Sequence, residues 1–271
     1  VAIARAAVAA VDGEALVRAA LAGRARPPSR VWAIGKAAAA MARGATAALG
    51  AALTGGIVVG RAPLGDVGAL GLPPSLRVLE GAHPIPDDRS ARAARALLDE
   101  AAATSGEALV LLSGGASAIV GAPLDGLPDD ALARATRTLL RAGVPIDDIN
   151  AVRRHLALVG GGRLAQATRA RLTLLAISDV APARSADAER QRSGREARGF
   201  GGEAPDDVSA DAERQRSGRE ARGFGGEAPD DDDGLWSTIG SGPTSADPTT
   251  RAQAAAIAAR AGVDEAIVRA I

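Results

Sequence analysis

Five short, largely apolar runs set the strongest limit on how this chain can fold. They occupy residues 30–34, 56–60, 76–80, 108–112 and 172–177, and each stops at glycine or a polar residue. Runs of five or six such residues suit a buried strand, because a helix would need more length to bury a face. The stretches between them, 37–53, 88–103 and 129–142, carry apolar residues at helical spacing, as do residues 2–22 ahead of the first run. Strands alternating with helices imply an α/β fold with a mostly parallel sheet covered by helices.

With 271 residues the chain can form one large domain or two small ones. Apolar residues are 47% and aromatics 1%, so the core must be closely packed Ala, Leu, Val and Ile. Lys and Arg number 32 and so do Asp and Glu, a balance that points to neither nucleic acid nor a membrane as partner. Cysteine is absent, which removes disulfides and thiolate chemistry. No apolar run approaches the ~20 residues needed to span a bilayer. Arg5, Asp12 and Glu14 interrupt the N-terminal stretch, which suits an amphipathic helix and not a signal peptide. A cytoplasmic protein is expected, and a sequence starting at Val reads as lacking its true beginning.

Four of the five strands end in residues able to do chemistry. These ends are Gly35-Lys36, Gly81-Ala82-His83-Pro84, Ser113-Gly114-Gly115-Ala116-Ser117 and Ser178-Asp179. Ligands of open α/β sheets bind beyond the carboxyl ends of the strands, so residues distant in sequence should converge there. The Ser113–Ser117 turn offers two glycines, two hydroxyls and free backbone N–H groups, a combination suited to an anion. Lys36 is the only lysine among 32 basic residues, Asn150 is the only asparagine, and His83 and His155 are the only histidines. Later in the chain, Asp147-Asp148 reads as the cap of a helix through INAVRRHLAL. Gly160-Gly161-Gly162 then precedes a short helix. Asp247 reads as an N-cap with Pro248 at the first helical position, and the chain ends at Ile271 inside that helical stretch.

SADAERQRSGREARGFGGEAPDD occupies residues 185–207 and recurs unchanged at 209–231. Its mix of Arg, Asp and Glu with few aliphatic side chains cannot offset the entropy of ordering. Residues 185–231 are therefore expected to be a disordered, tandem-duplicated insertion.

There is no GxxxxGK[ST], no GxGxxG and no HExxH, and residues 113–121 lack the last glycine of a GxSxG elbow. A lysine, hydroxyl-bearing glycine loops and a strand-tip aspartate suit phosphoryl transfer, which needs positioning and charge neutralisation, usually with Mg²⁺. Asp179 is then a candidate ligand for Mg²⁺ or the base for a substrate hydroxyl. Arg153 and Arg154 offer a fork for a carboxylate or phosphate, or else a salt-bridged helix face.

Six segments carry a resemblance: IGKAAAAMA (34–42), EGAHPIPDDRS (80–90), LVLLSGGASA (109–118), INAVRRHLALVGGGRLA (149–165), AISDV (176–180) and GSGPTSADPTT (240–250). Together, and in this order, they resemble the class II glycerate 2-kinase family, some of whose members are labelled hydroxypyruvate reductases. The resemblance implies a three-layer α/β/α sandwich with a Rossmann-like sheet, formed by residues 1–184 and 232–271. It further implies ATP with Mg²⁺ and transfer to the 2-hydroxyl of D-glycerate. Lys36 and Asp179 are the expected catalytic residues. Ser113, Gly114, Gly115, Ser117, Gly240, Ser241, Gly242 and Thr244 are expected at nucleotide or phosphate, and His83, Asn150, Arg153 and Arg154 at the substrate. The family's smaller C-terminal domain is expected to be missing, and a homodimer stays open as an assembly. The rival readings are a non-catalytic remnant that binds a small anion or a partner, and a nicotinamide-dependent hydroxypyruvate reductase.

Overall fold

The computed structural model describes residues 12–24, 26–177 and 239–271. The duplicated insertion, Ser178, Asp179 and residues 2–11 of the helix expected over 2–22 lie outside them. The strands are β1 (Arg30–Ile34), β2 (Gly55–Arg61), β3 (Leu76–Gly81), β4 (Glu107–Ser113) and β5 (Arg171–Ile177). They form one sheet in the order β3-β2-β1-β4-β5, with all four pairings parallel. β1, β2 and β4 are buried along nearly their whole length, as parallel strands covered on both faces must be.

Alternate residues of each strand feed two separate cores. Trp32, Ile34, Ile57, Val59, Val110 and Leu112 face one side, where α3 (Asp88–Ala103) contributes Ala93, Ala94 and Leu97. Val31, Ala33, Val58, Leu109 and Leu111 face the other. There they meet Val17 and Leu21 of α1 (Gly13–Leu21) and Met41, Ala42 and Ala45 of α2 (Ala38–Leu49). The chain leaves β1 outward through α2 and returns across the sheet through α3. Right-handed crossovers then require the two helices to lie on opposite faces. Among the described residues the fully buried Trp32 has no hydrogen-bond partner at Nε1, so it contributes there through its volume.

Between β4 and β5 lie α4 (Ala116–Ile119), α5 (Ala131–Arg141), α6 (Ile146–Leu156) and α7 (Arg163–Gln166). The last described segment adds α8 (Arg251–Arg260) and α9 (Glu265–Ala270). A third core joins α5, α6, α8 and α9 through Leu132, Leu139, Ile149, Val152, Leu156, Ala254, Ala258 and Ile267.

Several boundaries differ from the sequence expectation, each for a local reason. α2 stops at Leu49 because Gly50 takes a left-handed φ of 51°. Pro145, not the Asp147-Asp148 pair, stands at the N-cap of α6. The two aspartates lie inside its first turn, where they face the positive end of the helix dipole. The cap of α8 is Thr250, in a reciprocal capping box with Gln253, and not Asp247. Gly262, with φ 76°, breaks the C-terminal helical stretch in two.

Asp247 is instead the post that holds the 239–250 segment to α6. Its Oδ1 accepts from Arg154 Nε (2.8 Å), Thr249 N (2.9 Å) and Thr249 Oγ1 (2.7 Å). Its Oδ2 lies 3.1 Å from His155 Nε2, which also contacts the Thr249 carbonyl at 3.2 Å. Burial alone would raise the carboxyl's pKa. The Thr249 hydroxyl and N–H and the charges of Arg154 and His155 outweigh it, and hold the pKa below the ordinary 3.8.

Two outcomes follow from this packing. A Cβ on Gly56 would lie 1.9 Å from the Val31 carbonyl oxygen, across the β1–β2 pairing. Gly56→Ala should lower unfolding stability by about 3 kcal/mol in urea titration. Asp247 has a depressed folded pKa, so its contribution is complete above the unfolded value of 3.8 and is lost as pH falls through the folded value. Asp247→Asn should therefore cost about 3 kcal/mol at neutral pH. It should also remove part of the acid-dependent loss seen in the parent chain below about pH 4, as thermal unfolding across pH would reveal.

Candidate active site

The strand order reverses between β1 and β4, and the tips of these two neighbours lie in the crevice where open α/β sheets take their ligands. The turn after β1 is held directly by β4. Lys36 N–H donates to the Gly114 carbonyl (3.0 Å) and Ala37 N–H to Ser113 Oγ (3.1 Å), while Ser113 Oγ lies 3.4 Å from the Ile34 carbonyl as donor. Gly35 N–H reaches across to the Val59 carbonyl of β2 at 3.1 Å. A Cβ on Gly35 would stand 2.3 Å from Ser113 Oγ, and its φ of 123° is one that glycine alone adopts readily. Ser113 is buried, with its hydroxyl used in both directions. It shapes the lysine turn and keeps no free donor for a phosphate.

Lys36 itself is exposed. A Cβ on Gly115 would lie 2.8 Å from the His83 ring and 3.2 Å from Lys36 Cε, so the bare glycine is what lets the two side chains flank it. Gly115 has φ 87°, and the N–H groups of Gly114 and Gly115 make no hydrogen bond among the described residues. The loop carrying His83 is fixed from below. Ala82 N–H donates to the buried Ser90 Oγ (2.9 Å), and Asp87 closes a capping box with Ser90 at the start of α3. Gly81 brings the tip of β3 against α4, where a Cβ would sit 1.9 Å from the Ile119 carbonyl oxygen.

A second group adjoins the first. Ser241, buried and with φ 58°, lies between Gly240 (φ 62°) and Gly242 (φ 56°). Its Oγ is 2.8 Å from Ser117 Oγ and 3.4 Å from Asn150 Oδ1. Gly161 N–H and Gly162 N–H donate to the carbonyls of Ser241 (2.9 Å) and Gly242 (2.8 Å), so the two glycine loops grip one another. Gly240 packs on the tip of β4, where a Cβ would meet that of Ala116 at 2.9 Å. A small cleft opens here, lined by Ser117, Arg153, Gly160, Gly240 and Ser241 together with Val120, Ala157 and Val159.

Arg153 bridges the groups: its Nη2 donates to the carbonyl of Pro84, next to His83, at 3.2 Å. Burial lowers its pKa to about 10, which leaves it charged at neutral pH. Arg154 is placed differently, in the ion pair with Asp247. Thr244 is half-buried and makes no hydrogen bond with these groups. Asp179 lies outside the described residues. β5 ends two residues before it, at Ile177, in register with Ser113. Among the described residues no group of three or more His, Asp or Glu is arranged to hold a metal ion. The sequence placed Gly35 and Gly81 in strand-end motifs without showing what each must accommodate, and it did not name Ser90. Their only signal was small residues at strand tips and helix starts, and the close approaches that require them appear only in the folded state.

Comparisons with known proteins bear on the family and the fold. A family model described as a domain of unknown function (DUF4147) matches residues 1–186. The D-glycerate 2-kinase of Thermotoga maritima is 34% identical over 156 residues, covering 55% of this chain and 35% of that protein. A putative hydroxypyruvate reductase of Agrobacterium vitis is 33% identical over 266 residues, covering 96% of this chain and 47% of that protein. The crystal structure of glycerate kinase from Thermotoga maritima superposes with a TM-score of 0.70 at 25% identity, covering 98% of this chain and 52% of that one. The chain thus spans about half the length of this structural relative. With most of its length matched by the family model, and with glycerate kinases and putative hydroxypyruvate reductases as its relatives, the chain belongs to the DUF4147 family.

Proposed function

We propose that this chain forms one wall of the active site of a glycerate 2-kinase, in which the 2-hydroxyl of D-glycerate takes the γ-phosphoryl group of ATP. The observation that carries the reading is the position of Lys36, the chain's only lysine, at the tip of the central strand beside Gly115 and His83. Relatives named D-glycerate 2-kinase and glycerate kinase support it.

Each residue then has a physical task. The Lys36 ammonium is a compact, mobile charge that neutralises phosphate oxygens. Gly114 and Gly115 supply N–H groups that have no partner among the described residues, and the missing Cβ of Gly115 leaves the space a phosphate would fill. Ser113 acts through Lys36, by shaping its turn. Gly240 and Gly242 hold Ser241 in place, and Thr244 stands at the rim of that loop. Ser117, Ser241, Asn150, His83 and Arg153 receive the acceptor. Arg154 serves by anchoring Asp247. Asp179 accepts the proton of the 2-hydroxyl or binds Mg²⁺. Mg²⁺ ordinarily needs only one or two carboxylates beside the phosphates, so a single aspartate fits the metal that such a kinase uses. In the same proposal residues 1–184 and 232–271 make one α/β unit interrupted by the 185–231 insertion. The protein would work in the cytoplasm, as a monomer or homodimer.

The test is ATP-dependent phosphorylation of D-glycerate by the 271-residue chain with Mg²⁺, with the product isomer identified. The expected product is 2-phosphoglycerate, and Lys36→Ala should lower kcat/KM by about 10³-fold. Formation of 3-phosphoglycerate in place of 2-phosphoglycerate, or a Lys36→Ala variant with full activity, would overturn the reading. Hydroxypyruvate should not support NADH oxidation, because the turn after β1 reads Gly35-Lys36-Ala37 and lacks the dinucleotide fingerprint.

A further inference from the structure

The wall that carries Ser241 rests on a loop that cannot hold itself. Gly160, Gly161 and Gly162 stand in a row, and consecutive glycines have little conformational preference of their own. Yet Gly161 N–H, Gly162 N–H and Ala165 N–H donate in series to the carbonyls of Ser241 (2.9 Å), Gly242 (2.8 Å) and Pro243 (3.4 Å). Ser241 is also buried at a φ of 58°, a conformation that a residue with a side chain keeps only where its surroundings impose it. Something outside the loop must therefore fix it.

Arg163, the first residue of α7, is placed to do so. Leu158 N–H, which would have continued α6 onto the Arg154 carbonyl, donates instead to the carbonyl of Ala122 at 2.9 Å. The Arg154 carbonyl thus loses its helical partner. Arg163 Nη1 donates to it, and also to the Gly160 carbonyl at 2.9 Å. Both hydrogens of one nitrogen then tie the end of α6 to the start of the glycine loop. The charge stands at the negative end of the helix dipole. Burial pulls the guanidinium's pKa below its usual range, and the Asp247 carboxylate opposes that shift. A Cβ on Gly161 would stand 3.4 Å from Arg163 Nη1 and 3.5 Å from Asp247 Cβ, so the loop passes between the two in close contact. Arg154 is gripped twice, its side chain by Asp247 and its backbone by Arg163.

We infer that Arg163 is a positioning residue: it fixes the Gly160–Gly162 loop, and through that loop sets where Ser241 stands against Ser117. The inference rests on the proposed kinase reading for the reaction that Ser241 serves, but the hold on the loop can be measured without turnover.

Amide hydrogen exchange of the 271-residue chain provides that measurement. Arg163→Ala should speed exchange at Gly161 and Gly162 by about 10-fold or more, and leave β1 and β4 at the parental rate. Millimolar guanidinium should return the protection in Arg163→Ala and change nothing in the parent chain. Arg163→Lys, which keeps the charge without the planar fork, should loosen the same two amides by less. It also guards against an alanine variant that fails to fold. Under turnover, Arg163→Ala should lower kcat/KM for D-glycerate by about 10²-fold, as misplacement of a positioned group does. The loss should lie in KM for D-glycerate, with KM for ATP unmoved, and guanidinium should reverse it. A residue serving stability alone would show neither the split nor the rescue. Parental exchange at Gly161 and Gly162 in Arg163→Ala, loosening of β1 and β4 in both variants, or protection that guanidinium does not return would each overturn the inference. Lost and rescued protection in a chain whose product is 3-phosphoglycerate would sink the kinase reading and keep the role of Arg163. Formation of 2-phosphoglycerate by Arg163→Ala at the parental kcat/KM would do the reverse.

Discussion

The contact on which the site depends is the grip of Ser113 on the turn that follows β1. One buried hydroxyl accepts from Ala37 N–H and faces the Ile34 carbonyl as donor. The contact exists only because Gly35 has no Cβ to fill the 2.3 Å gap. It joins the tips of the two strands between which the sheet changes direction, so it also determines where a ligand can lie. Lys36 emerges from that joint with its backbone bound and its side chain exposed to solvent. The rigid base and the mobile charge thus belong to one residue.

A second layer of organisation comes from close backbone approach. Gly81 against Ile119, Gly115 between His83 and Lys36, and Gly240 on Ala116 are each positions where a methyl group would collide. In a protein with 1% aromatic residues and a core of Ala, Leu, Val and Ile, packing comes from short distances rather than large side chains. The site uses the same principle: its walls are glycine and serine, and its charges come from a few long side chains that reach over them. Asp247 completes the arrangement from the far side. By gathering Arg154, His155 and Thr249 it seats the 240–242 loop against Gly161 and Gly162, and so brings Ser241 to Ser117.

The alternation of apolar runs and helical stretches determined the sheet, because a five-residue run of Val, Leu and Ile has few ways to be buried other than as a covered strand. The same pattern determined that Lys36, His83, Ser113 and Ser117 would share one edge, since parallel strands all present their carboxyl ends there. The end of α2 at Gly50 and the caps of α6 and α8 were less legible. Aspartates near a helix start can cap it, face its dipole or pair with an arginine, and sequence spacing does not separate these outcomes. Asp247, three residues before the true cap at Thr250, is the plainest case.

Only the tertiary structure decided the strand order and the division of labour among neighbours. The order β3-β2-β1-β4-β5 depends on how distant segments pack together, which no local pattern contains. Arg153 and Arg154 are identical in sequence terms, yet a rotation of 100° along α6 aims one at Asp247 and the other into the cleft. Ser113 looks like a phosphate ligand in its own loop, and becomes a brace once Ile34 and Ala37 arrive from 76–79 residues away. The sequence by itself determined which chemical groups would meet at the sheet edge. Three-dimensional packing decided which of them would be consumed by holding the others in place, because each polar group has few bonds to give and the fold claims some of them first.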